Sequence, residues 1–172
     1  PNIPCDGFCF YTQGFYGNEG GLGWTLECDY AHSALQMMQA VLPVPATYPT
    51  PLYNYERFGI ESPCNYFELR SNDIEAGGNI FNMLPGSKAP KALDYGIAYY
   101  ANTGTWGIVP LSTKSQTYGQ INNQLLSQAI AFYFNLGNNP GAELHSIEGN
   151  MLVTAPSDCA FENVNIAMKD TF

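Results

Sequence analysis

The residue types that could do chemistry in this chain are few. Nucleophilic catalysis needs a base within reach of the nucleophile, and His32 and His145 are the only imidazoles. Ser33 follows His32, but neighbours on a helix point about 100° apart, so their adjacency carries no catalytic meaning. His145 has Glu143 nearby, in a loop-to-strand setting. There is no G-x-S-x-G elbow. Two ordinary histidines are the simpler reading.

Paired carboxylates could hydrolyse a glycosidic bond, and Glu56, Glu61 and Glu68 lie in an aromatic stretch suited to sugar stacking. With 15 acids in the chain some pairing is inevitable, so surface acids are the default. Asn72, Asp73 and Glu75 lack the twelve-residue calcium-loop spacing and its terminal Glu. A calcium site built from scattered carboxylates and carbonyls stays open, with no metal ligands assigned and no other cofactor implied. The run GNEGGLG precedes neither a Lys-Ser/Thr pair nor a correctly spaced helix, so no phosphate or dinucleotide cradle is present. No catalytic residue is assigned, and the chain reads as a non-enzyme.

Aromatic side chains give a different signal. Tyr11, Phe15, Tyr16, Trp24, Tyr48, Tyr53, Tyr55, Tyr99, Tyr100 and Trp106 all fall in loop or strand-edge sequence. Flat exposed rings stack on sugars and anchor contacts between proteins. Tyr16, Trp24, Tyr53, Tyr55, Tyr100 and Trp106 are the expected ligand or partner contacts.

The composition fits contact better than catalysis. Of 172 residues only 12% are charged, against about 25% in typical domains, while 45% are hydrophobic and 14% aromatic. Net charge is −9 with six basic residues, which leaves no footprint for a nucleic-acid backbone. No apolar run reaches 18 residues, so no membrane insertion is expected. Such a surface is common in secreted proteins that touch sugars, cell surfaces or copies of themselves. Without repeats or linkers, residues 1–172 read as a single extracellular domain.

Cys5, Cys9, Cys28, Cys64 and Cys159 form no C-x-x-C pair, which argues against zinc and for disulfides in an exported chain. Two bridges and one spare thiol are expected. A Cys9–Cys28 bridge would close the glycine-rich loop and contribute roughly 3 kcal/mol in the chain-entropy picture. The start at Pro1 suggests a processed product or excised piece, and no N-glycosylation sequon offers further support for export.

These residues need elements to position them. The expected fold is α+β, mostly short antiparallel strands packed against one principal helix near 120–136, with a second helix near 29–42. In the principal helix Ile121, Leu125, Leu126, Ala129, Ile130, Tyr133 and Leu136 make an apolar stripe. Asn122, Asn123, Ser127 and Gln128 lie opposite, and residues 137–141 (GNNPG) should stop it. In the second helix Ala31, Ala34, Leu35, Met38 and Leu42 recur at three and four, with Asp29 as a cap. Residues 9–28 read as an irregular loop, and 52–69 as one or two strands with a turn near Ser62–Pro63. Residues 98–110 read as a hairpin, and two short strands are expected after residue 145.

The string YTQGFYGNEGG (11–21) resembles a YTQG(F/Y)(Y/W)GN-type module of large secreted surface proteins of Bacteroidota, several of them adhesin-like. Residues 80–93 (IFNMLPGSKAPKAL) and 120–136 (QINNQLLSQAIAFYFNL) also resemble it. The resemblance implies an extracellular or cell-surface location and brings no catalytic residues. The expected function is a structural or adhesive surface module, including the form of a self-assembling filament subunit. Its partners would be itself or other surface proteins. The alternative is a carbohydrate-binding module acting on extracellular polysaccharide. For self-association the residues are Val164, Ile166 and Met168, which alternate with polar neighbours as an edge-pairing strand does.

Overall fold

Local capping decides where the first elements begin. The computed structural model describes residues 9–25, 30–46, 53–61, 64–101 and 119–139, all within a unit of residues 1–140. Thr12 opens α1 (Gln13–Tyr16), its hydroxyl accepting from the Phe15 amide. The strands β1 (Leu22–Trp24) and β2 (Ala31–Ser33) pair antiparallel, with Gly23 opposite His32. The segment expected to be an irregular loop therefore holds one helical turn and a strand.

Ser33 then starts α2 (Ala34–Val41) through a capping box: its hydroxyl accepts from the Gln36 amide at 3.1 Å, and Gln36 Oε1 accepts from the Ser33 amide at 2.8 Å. This box satisfies two amides that would otherwise lack partners, so the helix starts here and not near Asp29. Ala31 sits in β2, and the buried face of α2 is Ala34, Met37 and Met38.

The expected strand pair is present as β3 (Tyr55–Ile60) and β4 (Asn65–Arg70), antiparallel from Tyr55 opposite Arg70 to Ile60 opposite Asn65. A short 3₁₀ turn, Ser71–Asp73, follows, and the apolar run after Gly78 is helical, α3 (Asn79–Met83). The strand β5 (Ala98–Tyr100) pairs with β4 in parallel, giving the order β3–β4–β5. A parallel neighbour needs a long crossover, and residues 71–97 supply it.

The longest helix, α4 (Gln124–Asn138), is capped by Asn123, whose side-chain oxygen accepts from the Leu125 and Leu126 amides. Its stripe differs from the periodic reading. Leu126, Ile130 and Phe134 are buried, Leu125 is exposed, and Ser127 belongs to the buried side. Gly137 does not stop the helix, because α4 continues to Asn138. A side chain at Gly137 would overlap the methyl groups of Val41, so glycine there lets α2 and α4 approach.

The core forms where these elements meet: Met38 and Leu42, Phe67 and Leu69, Tyr99, and Leu126, Ile130 and Phe134. Asparagines on α4 fasten the N-terminal segment to it. Asn139 accepts from the Cys9 amide at 3.0 Å and donates to the Cys9 carbonyl at 2.9 Å. Asn135 does the same to Tyr11, at 2.7 and 2.8 Å, and also accepts from the Tyr16 hydroxyl at 3.0 Å. Each amide side chain replaces a strand partner, pairing both polar groups of one backbone residue. Among the described residues no helix is long and apolar enough to cross a membrane.

Candidate functional site

Strand alternation and the β3–β4–β5 register sort the sheet's side chains onto two faces. Phe58, Phe67, Leu69 and Tyr99 pack on the core. Tyr55, Arg57, Tyr66, Glu68, Arg70 and Tyr100 share the other face, because Tyr55 is opposite Arg70, Arg57 opposite Glu68, and Glu68 beside Tyr100.

Arg57 and Arg70 are the only two arginines in the chain, and both converge on one glutamate. Arg57 Nε donates to Glu68 Oε2 at 2.9 Å, and Arg70 Nε donates to Oε1 at 2.7 Å. The Glu68 side chain is only 3% exposed, so both of its oxygens are committed in a nearly dry setting. Arg57 also reaches the exposed Glu61 at 3.1 Å, a pair worth about 0–1 kcal/mol.

Each guanidinium lies between tyrosine rings. Arg57 Cζ is 4.6 Å from the Tyr55 centroid and 4.7 Å from that of Tyr66. Arg70 Cζ is 4.3 Å from the Tyr53 centroid and 5.2 Å from that of Tyr100. The Tyr66 and Tyr100 hydroxyls are 3.3 Å apart. That hydrogen bond, with burial second, pushes the Tyr66 hydroxyl up to about 12. Beside Arg70, burial raises the Asp73 carboxyl above its ordinary range even though it accepts from the Arg70 amide at 2.9 Å. Two guanidiniums thus pair with two carboxylates, Glu61 and Glu68, so the face has no excess positive charge.

The arrangement is suited to contact. Interleaved Tyr and Arg side chains are held rigid by stacking and by Glu68, so little side-chain entropy remains to be lost on binding. Glu68, between two cations, offers no free oxygen for proton transfer. Glu56 alternates to the opposite side of the strand, where burial raises its carboxyl above the ordinary value. Glu56 and Glu68 therefore do not form a facing carboxylate pair.

Among the expected contact residues, Tyr53, Tyr55 and Tyr100 meet on this face. Tyr16 does not: it is 0% exposed, packed 5.5 Å from the Phe134 ring, and burial drives its hydroxyl well above the usual tyrosine range. Its hydrogen bond to Asn135 makes it an internal strut, which corrects its assignment as a contact. Trp24 lies apart on β1, half-buried, with its backbone amide and carbonyl both bonded to the Tyr11 hydroxyl. Cys9 is a half-buried free thiol, so the expected bridge from Cys9 to Cys28 is not formed here, and Cys64 is an exposed thiol. Trp106, Cys28, His145 and the 164–168 segment lie outside the described residues. Arg57, Tyr66, Glu68 and Arg70 join the face as residues beyond the expected contacts, and their i, i+2 spacing within two strand patterns is the sequence signal for it.

A second feature adjoins the sheet. An apolar groove of about 360 Å³ runs between Phe58, Gly59 and Ile60 on β3 and Leu125, Leu126 and Ala129 on α4, with Asn65 and Leu93 also in its lining. Among the described residues no group of three or more His, Cys, Asp or Glu side chains converges as a metal site would require. No known protein family, curated protein or solved structure matches the chain.

Proposed function

We propose that the chain is a non-enzymatic extracellular surface module, structural or adhesive, that acts by contact through the tyrosine–arginine face of its sheet. One observation carries this reading: a chain with 12% charged residues directs both of its arginines to one face, each between two tyrosines. Tyr and Arg are the side chains that most often dominate protein contacts, and here they are pre-ordered. The resemblance of residues 11–21, 80–93 and 120–136 to a secreted adhesin-like module supports the extracellular setting. The partners are copies of this chain or other surface proteins.

Carbohydrate binding is the second reading. It is favoured by the exposure of Tyr55, 43%, beside a face of balanced charge that suits neutral hydroxyls and sugar C–H surfaces. Beads coated with the full chain and with a Tyr53→Ala/Tyr55→Ala variant test the proposal. Clustering that is lost in the variant supports protein contact. Failure of the wild type to cluster, with capture of glycans from an array, moves the carbohydrate reading to first place.

A further inference from the structure

The strand β3 combines an outer edge with an adjacent apolar groove. The Ser71 amide donates to the Asn54 carbonyl at 2.9 Å, and the Asn54 amide donates to the Ser71 hydroxyl at 3.2 Å. Antiparallel pairs alternate between bonded and non-bonded, so Glu56–Leu69, Phe58–Phe67 and Ile60–Asn65 carry the ladder with β4. Tyr55, Arg57 and Gly59 then aim their amides and carbonyls away from β4. The Glu56 carboxylate, which accepts from the Arg57 amide, lies on that side as a local substitute partner. The strand is terminal in the order β3–β4–β5, and among the described residues β4 alone pairs with it.

Beside this strand lies the apolar groove lined by Phe58, Ile60 and Leu125, which also reaches Asn65 on β4 and residues 91–93. Ile60 is 58% exposed and Leu125 57%. An open edge gives an extended peptide its backbone partners, and the adjoining groove takes every second side chain. Neither half alone would specify a strand; together they do.

We infer that this edge and groove accept a β-strand from a second copy of the chain, namely residues 164–168. This rests on the self-association form of the proposed function. Beyond the last described residue, 139, the chain continues for 33 residues to 172, and they include Val164, Ile166 and Met168 at period two. The groove side of β3 over residues 58–60 carries two side chains, Phe58 and Ile60, so it takes two of these three apolar side chains beside them and leaves the third toward the groove's end. Asn165 and Ala167 then face the tyrosine–arginine side, where no apolar pocket is needed. Because donor and acceptor are different surfaces, the contact is head-to-tail and grows into chains rather than closing as a two-fold dimer.

The test uses the full 172-residue chain in sedimentation velocity at tens of micromolar, with salt added to screen the net charge of −9. An amine-reactive cross-linker is applied to a mixture of isotopically light and heavy copies, to join Lys91 at the groove to Lys169 after the donor segment. Concentration-dependent oligomers and mixed light–heavy Lys91–Lys169 links are expected. Leu125→Asp and Ile166→Asp should each weaken assembly by about tenfold or more and remove those links. Monomers under all conditions, oligomers that persist in Leu125→Asp, or links confined to single-isotope chains overturn the inference. Oligomers lost in Tyr53→Ala/Tyr55→Ala but kept in Leu125→Asp would sink strand exchange and leave the contact reading standing.

Discussion

Glu68 offers a perturbation whose sign separates a structural role from a surface role. Glu68→Ala leaves two guanidiniums, with side chains only 28% and 19% exposed, without their shared carboxylate. Removing one partner from a buried ion pair typically costs about 3–5 kcal/mol, against about 5–15 kcal/mol for a whole domain. Glu68→Gln keeps one oxygen acceptor and turns an amide toward the other guanidinium, so about 2 kcal/mol is expected. Replacing the whole cluster with Arg57→Met, Glu68→Leu and Arg70→Met removes the desolvation cost of all three charges. Its stability should lie within about 1–2 kcal/mol of the wild type or above it. The assay is equilibrium unfolding in urea, which unlike guanidinium does not screen charges, read as a shift in midpoint at constant slope. The triple variant should fold well and yet lose bead clustering. A Glu68→Ala cost below about 1 kcal/mol would refute the idea that this carboxylate is structurally committed. A triple variant as unstable as Glu68→Ala would show that the arginines serve the fold and not its surface.

Two further outcomes follow from the same geometry. Asn135→Ala removes the partners of the Tyr11 amide, the Tyr11 carbonyl and the Tyr16 hydroxyl, and should lower the urea-derived stability by about 3–5 kcal/mol; substitution of the exposed Gln128 should change little. Tyr66 and Tyr99 hold their protons up to about 12 in the folded chain, Tyr66 through its bond to Tyr100 and Tyr99 through burial and then its bond to Asp94. Unfolded tyrosine ionises near about 10, so this stability is complete below about pH 10 and lost as pH rises toward about 12. Ultraviolet difference titration should show late tyrosines, of which Tyr66 shifts earlier in Tyr100→Phe while Tyr99 stays late, and an unchanged titration in Tyr100→Phe would contradict the hydroxyl pair.

Legibility in the sequence followed how local each determinant was. The β3–β4 pair could be read because Tyr, Phe and Ile alternate with polar residues over 55–70, and strand alternation is a property of neighbouring residues. Helix α2 was legible in type but not in its start, since the Ser33–Gln36 capping box competes with any upstream Asp. Helix α4 was legible in type, whereas its buried side was not. Asn135 and Asn139 count as polar in any periodicity, yet they are buried because they bond the backbone of Tyr11 and Cys9, more than 120 residues away in sequence. Gly137 reads as a stop signal until Val41 is seen to occupy the space its side chain would need. The parallel seating of β5 depends on a crossover, which leaves no local pattern. At the candidate site Tyr53, Tyr55 and Tyr100 could be chosen as aromatics. Their convergence on two arginines required the register, because it joins residues 34 positions apart, Tyr66 and Tyr100.

The most direct measurement is tyrosine footprinting of the full chain, free in solution and held between clustered beads, with modification read residue by residue. Tyr55, 43% exposed, and Tyr53 should become several-fold less reactive in the clustered state. Tyr95, 80% exposed and not among the ring and guanidinium contacts of the face, should keep its reactivity. Equal loss or equal retention of reactivity at Tyr55 and Tyr95 would contradict contact through the tyrosine–arginine face.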